Sequence, residues 1–172
     1  EVEVSSASDA FKELKAARAV CIALDGILKD ISSIKDMPPD SSLKVVTFDS
    51  KEGKEVYRHS ASHIMAHAVK ELFPEAKLAI GPATEDGFYY DFDIDRPLTP
   101  DDLQNIEKKM ARIIKENKPF IRSSLKREDA INLFSKQNET YKVELLNEID
   151  AAMVSLYEEG GFVDLCRGPH LP

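Results

Sequence analysis

Three of the four histidines in this 172-residue chain are His59, His63 and His67. The fourth, His170, closes the run Asp164-Leu165-Cys166-Arg167-Gly168-Pro169-His170. At 3.6 residues per turn, spacings of four return to nearly the same azimuth, so the three rings are expected to share one stripe of a helix. Ile64, Met65, Ala68, Val69 and Leu72 mark a separate apolar face of that helix. The histidine stripe is therefore expected to point away from the core, as solvated surface or as the wall of a cleft. His59-x3-His63 and Cys166-x3-His170 together offer three imidazoles and one thiol, a legitimate tetrahedral zinc set. The competing reading makes His59 and His63 exposed polar residues and Cys166 a small buried hydrophobe. If residues 162–166 are extended, Asp164 and Cys166 face one way while Val163 and Leu165 face the other. The apolar pair can then seal a core while the polar pair looks into a pocket. Arg167-Gly168-Pro169 would turn the chain to present His170.

These clusters need a frame, and the composition supplies a soluble one. A chain of 172 residues has room for one ordinary domain, or for a small one plus a medium one. An apolar share of 42% and a charged share of 31% fit a globular protein, and no apolar run approaches membrane-spanning length. The net charge of -8 argues against adhesion of the whole chain to nucleic acid, though not against a local basic face. Cys21 and Cys166 lie too far apart in sequence to suggest a disulfide framework, which fits a reducing, cytoplasmic setting. Glu1-Val2-Glu3-Val4 is no signal peptide. A start without methionine and an abrupt end at Leu171-Pro172 suggest a piece of something longer.

The periodicity predicts an α+β chain. Residues 8–17 are expected to form a short helix capped by Ser8, with Ala10, Phe11 and Leu14 apolar. Residues 19–24 read as a buried strand, Asp25-Gly26 as a hairpin turn, 27–31 as the return strand and 43–48 as a third strand. Met37-Pro38-Pro39-Asp40 breaks the chain between them. Asp49-Ser50-Lys51-Glu52-Gly53 is a polar linker and the expected boundary between residues 1–53 and 54–172. The histidine helix then runs to Phe73-Pro74. Gly81-Pro82 turns the chain after 77–80. Residues 88–93 alternate as a strand, with Phe88, Tyr90 and Phe92 on one face. Thr99-Pro100-Asp101-Asp102 starts a helix through Asn117, along which Leu103, Ile106, Met110, Ile113 and Ile114 hold the helical period. A strand at 120–125, helices at 127–137 and 141–149, and a hairpin of 153–157 with 162–166 complete the chain.

Charge is segregated in the second part. Acids dominate from Glu85 to Glu107, whereas Lys108, Lys109, Arg112, Lys115, Lys118, Arg122, Lys126 and Arg127 are opposed by Glu116 alone. Lys108, Arg112 and Lys115 lie opposite the apolar stripe of their helix. That face is either simply solvated or a surface for a phosphate backbone.

Five motifs, in this order and spacing, resemble threonyl-tRNA synthetases. They are His59-Ser60-Ala61-Ser62-His63, Ile80-Gly81-Pro82, Asp86-Gly87-Phe88-Tyr89-Tyr90-Asp91-Phe92, Tyr141-Lys142 and the Asp164 to His170 run. The resemblance covers residues 55–172 and is to the editing domain of the bacterial-type enzyme. Residues 1–53 resemble, more weakly, the small β-grasp TGS module that precedes it, without its opening strand. The resemblance implies a two-layer α/β editing domain with an antiparallel sheet and a histidine-bearing helix. It also implies hydrolysis of serine mischarged on threonine tRNA. None of the family's aminoacylation motifs is present, so ATP and the zinc of that core are expected only in a catalytic core outside this sequence. The full-length enzymes of the family are homodimers.

Carried over by the resemblance, the site residues are His59, His63, Tyr90, Lys142, Asp164, Cys166 and His170. His59 and Lys142 would position or deprotonate the attacking water, imidazole titrating near pH 6.5. Asp164 would grip the seryl ammonium or a ribose hydroxyl, and Tyr90 the terminal adenosine or the ester carbonyl. His63, Cys166 and His170 complete the substrate pocket, and Lys108, Arg112 and Lys115 are candidates for tRNA contact. The resemblance assigns no role to Arg167 or His67, the latter expected at the helix surface. It also implies a metal-free site. Two alternatives remain: a zinc-dependent deacylase similar to alanyl-tRNA editing proteins, with His59, His63, Cys166 and His170 as ligands, or an inactive tRNA-binding module.

Overall fold

The computed structural model describes residues 18–172, so the helix expected at 8–17 lies outside the described residues. The chain is mixed α/β with small antiparallel sheets. It divides into two compact units. One comprises the residues up to Ser60 with Ala83–Gly87 and Gly168–Pro172, the other Ala61–Pro82 and Phe88–Arg167.

In the first unit, β1 (Ala19–Leu24), β2 (Ile27–Lys29) and β3 (Leu43–Thr47) form an antiparallel sheet ordered β2-β1-β3. Asp25 and Gly26 turn the β1–β2 hairpin with φ of 50° and 81°, the positive pair that matches strand twist. Every residue of β1 is buried because both faces of the strand are covered. Ile22 and Leu24 pack with Ile34 and Leu43, while Cys21 and Ala23 pack with Val46 and Val56. Burial pushes the Cys21 thiol up to about 11. The return strand ends at Lys29, not at Ile31. Asp30 gives its carboxylate to the His170 backbone N–H at 2.8 Å, and a 3₁₀ turn follows over Ile31–Asp36.

The long helix α1 spans Lys51–Leu72, and it passes from one unit to the other between Ser60 and Ala61. Lys51, Glu52 and Gly53 are thus helical, where the sequence suggested linker. Ser50 explains this: its hydroxyl accepts from the Gly53 N–H at 3.0 Å, as an N-cap does.

In the second unit, α2 (Pro100–Glu116) begins with a reciprocal capping box between Thr99 and Asp102 and ends at left-handed Asn117. Ile106 and Ile113 pack against Ile64, Ala68 and Val69 of α1. Leu103 and Ile114 keep the helical period but are exposed: they sit on the rim of the stripe, which the contact with α1 does not reach. The strands β6 (Ile121–Lys126), β7 (Met153–Glu159) and β8 (Phe162–Leu165) form an antiparallel sheet ordered β6-β7-β8. The helices α3 (Arg127–Lys136) and α4 (Thr140–Glu148) cover it through Ala130, Phe134 and Leu146. Val163 and Leu165 join that core, so the expected parity of β8 holds.

The expected strand at 88–93 is regular only at Phe92–Asp93 (β5), paired with Lys77–Leu78 (β4). Its extension is irregular, although Asp91 still donates to the Ile80 carbonyl at 2.9 Å. Tyr90 and Phe92 share a face as expected, their rings stacked at 4.9 Å. No helix among the described residues is long and apolar enough to cross a membrane.

Candidate active site

In the second unit the sequence-predicted residues Tyr90, His63, Lys142 and Asp164 meet. Asp164 comes from β8, on the face opposite the core residues Val163 and Leu165, and is 1% exposed. The Lys142 ammonium, from the first turn of α4, lies 2.6 Å from Oδ1. The Leu165 backbone N–H donates to the same oxygen at 2.8 Å. The Tyr90 hydroxyl donates to Oδ2 at 3.0 Å, and His63 Nδ1 stands 3.2 Å from it. Lys142 also donates to the Tyr90 oxygen at 3.2 Å. Burial alone would push the Asp164 carboxyl up, but Lys142 and His63, together with these hydrogen bonds, hold it below the usual carboxylate range. Burial, then the Asp164 charge, pushes the Tyr90 phenol upward, so Tyr90 acts as a hydroxyl donor. A cavity of about 290 Å³ adjoins Lys142 and Asp164, walled also by Lys70, Leu78, Phe134 and Glu139.

Gly81 shapes this cluster by its lack of a side chain. A Cβ there would meet the Tyr90 ring at 2.0 Å, so the Ile80-Gly81-Pro82 turn lets the ring lie against backbone. The Ser62 hydroxyl fixes the turn by donating to the Gly81 carbonyl at 2.9 Å.

In the first unit, His59 and His170 stack with ring centroids 4.4 Å apart. His170 is fully buried, and its tautomer follows from its neighbours. The Ser60 hydroxyl spends its proton on the Val56 carbonyl at 2.9 Å, so it accepts from the Leu171 N–H at 3.0 Å and from His170 Nδ1 at 3.1 Å. His170 Nδ1 therefore carries the proton of this contact. Gly168-Pro169 before it is a cis peptide bond. His59 lines a cavity of about 1010 Å³ together with Lys51, Lys54, Arg58, Thr84 and Pro169. Arg58 donates to the carbonyls of Thr84 and Glu85, holding that loop as one wall.

Both units carry donors suited to a soft metal. His63 and Cys166 in the second unit present ligand atoms within 4.8 Å of each other, as do His59 and His170 in the first. A carboxylate on His63 Nδ1 also suits a metal-binding imidazole. The residues thus fit zinc chemistry as well as metal-free chemistry.

Sequence reasoning missed three buried groups. His67, expected at the surface, is only 7% exposed: Nδ1 meets Glu159 at 2.6 Å and Nε2 meets Glu71 at 3.3 Å. His63 is buried as well, so this part of the stripe is packed against β8 and the β7–β8 turn rather than solvated. Glu139, just before α4, pairs with Lys70 at 2.5 Å and accepts from the Leu78 N–H at 2.9 Å. Nothing local marks Glu139 or Glu159, because their partners lie 61 to 92 residues away. Lys108, Arg112 and Lys115 are exposed on α2, apart from the Asp164 cluster, and Arg167 is also exposed.

The proteins most informative for this arrangement are ligases that charge tRNA. They are threonine–tRNA ligases: the chain is 52% identical over 157 residues to that of Pelobacter propionicus, covering 91% of this chain. It is 54% identical over 134 residues to that of Desulforamulus reducens, and 50% identical over 156 residues to that of Clostridium tetani, covering 77% and 90% of this chain. The chain spans 21% to 24% of the length of these relatives. No protein-family model matches it.

Proposed function

We propose that this chain is the proofreading part of a threonine–tRNA ligase, hydrolysing serine wrongly esterified to threonine tRNA. The observation that carries the reading is the buried Asp164 hub, which fixes Lys142, His63 and Tyr90 together, in a chain similar to threonine–tRNA ligases. Serine lacks one methyl of threonine, a difference a single binding pocket discriminates by only about 1–3 kcal/mol. A second, hydrolytic site restores accuracy. In the reaction, water adds to the ester carbonyl and the bond to the ribose oxygen breaks. Serine leaves as the acid, and the ribose hydroxyl regains a proton.

In this reading His59 and Lys142 act on the water, His59 as the base and Lys142 as the cation that orients it. Tyr90 donates toward the substrate ester or adenosine, and Asp164 anchors Lys142 and His63 while offering its charge to the seryl ammonium. In this reading the described part of residues 1–53 belongs to a TGS-like β-grasp module and residues 54–172 to the editing domain. The partners are serine-bearing threonine tRNA and the ligase core. The full-length ligase is a cytoplasmic homodimer. The test is deacylation of seryl- and threonyl-tRNA by the chain, alone and joined to a charging core. Hydrolysis of the seryl ester with the threonyl ester spared supports the reading, and equal hydrolysis of both, or of neither, overturns it.

The chemistry proposed is metal-free. The zinc-dependent alternative is favoured by one observation, the Asp164 contact with His63 Nδ1. Elemental analysis separates them: about one zinc per chain, lost on Cys166→Ala or His170→Ala, would establish the alternative.

A further inference from the structure

His67 faces a carboxylate through each ring nitrogen, Glu159 at 2.6 Å and Glu71 at 3.3 Å. A carboxylate accepts, so the shorter contact is a hydrogen bond that Nδ1 donates to Glu159. Lys109 of α2 pairs with the far side of Glu71, giving an alternating row Lys109, Glu71, His67, Glu159. The ring also stacks flat on Phe162, 8° from parallel with centroids 5.3 Å apart. Gly160 lies close enough that a Cβ would come within 3.2 Å of His67 Cε1. The contacts that Glu159, Gly160 and Phe162 make on the ring all come from residues 159–162, around the β7–β8 turn.

This matters because of what stands next to each partner. His67 is one helical turn beyond His63 on α1, and Phe162 is two residues before Asp164 on β8. One turn and one strand repeat away, the same two elements make the His63–Asp164 contact at 3.2 Å. A charge-assisted bond between buried groups is short and directional, so it fixes the relative height of helix and strand. The His63–Asp164 contact is longer and has competitors on Asp164, so it is the poorer candidate to set that height.

We propose that His67 and Glu159 are positioning residues, a buried clamp between α1 and the β7–β8 turn that sets His63 against Asp164. Its kinetic consequence rests on the proofreading reading, whereas its structural consequence does not. The clamp touches no substrate; it acts through His63 and Asp164.

The chain's four histidines allow a direct test by imidazole ¹⁵N and ¹H NMR, each ring assigned by its own His→Gln variant. In Glu159→Gln and His67→Ala, the His63 Nδ1 resonance is expected to shift or broaden while that of His170 stays in place. Glu159→Gln keeps the shape and an acceptor oxygen, so it serves where His67→Ala fails to fold. Single-turnover seryl-tRNA deacylation should slow about tenfold or more in His67→Ala, less in Glu159→Gln, with KM nearly unchanged; a 1 Å misplacement can cost about 100-fold. A His63 resonance indifferent to Glu159→Gln in the folded chain overturns the clamp. A shifted resonance with wild-type kcat overturns its role in catalysis. A wild-type chain with no seryl-tRNA hydrolysis defeats the proofreading reading instead, and the resonances still decide the clamp.

Discussion

The Lys142 ammonium and the Asp164 carboxylate lie 2.6 Å apart, both almost wholly out of solvent. Such a pair is costly to break from one side, because the remaining charge stays buried. Lys142→Met is therefore expected to lower stability by about 3–5 kcal/mol. Urea denaturation checks it, and a midpoint equal to wild type would show that water already screens the pair.

The same pair ties stability to acidity. The Asp164 carboxyl is held below its unfolded value of about 3.9. A depressed pKa contributes stability that is complete above the unfolded value and lost as pH falls through the folded one. Wild type should therefore lose stability below about pH 4 more steeply than Asp164→Asn. Denaturation midpoints between neutral pH and the acid limit should converge for the two proteins, and parallel curves would contradict the assignment.

For the chemistry, His59→Ala and Lys142→Ala are expected to slow seryl-tRNA deacylation by about 10²- to 10⁴-fold. Cys166→Ala should cost less if no metal is held there. Single-turnover rates on chains whose fold is checked by circular dichroism decide this. Wild-type rates in both folded variants would remove His59 and Lys142 from the mechanism.

Gly81 offers a test of packing. Gly81→Ala places a methyl inside the Tyr90 ring position, and overpacking of this kind costs about 1–3 kcal/mol. Tyr90 should be displaced from Asp164, so deacylation should fall further than stability alone explains. Unchanged rates would mean that the Tyr90 hydroxyl contributes nothing.

The exposed face of α2 gives a salt-dependence test. If Lys108, Arg112 and Lys115 contact phosphates, the triple alanine variant should weaken tRNA binding at low salt. It should also flatten the slope of log K against log salt by about 0.9 per lost contact. An unchanged slope would return the face to solvent.

Local chemistry made much of this legible. Thr99, Pro100 and Asp102 announce α2, and the alternation through Val163, Asp164 and Leu165 separates core from site by spacing alone. What stayed hidden depends on distant partners. The spacing of His59, His63 and His67 gives a common stripe, but only the β7–β8 turn decides that His67 is buried against Glu159. Ser50 capped a helix where a polar run suggested linker, and Leu103 and Ile114 kept helical period without finding a partner. Periodicity reports which face a residue occupies, and not how far the neighbouring element extends across it.

Strand β6 pairs with β7 on one side, and among the described residues it has no strand on the other. It is exposed along most of its length, Ile121 included. Unpaired main-chain groups of this kind invite copies of a chain to add strands to one another and grow into aggregates. Arg122 and Lys126 stand on this strand, and stacking like against like would bring their charges together. Their charges are expected to oppose such growth. Replacing both with threonine should leave the fold intact and raise the turbidity of concentrated, low-salt solutions.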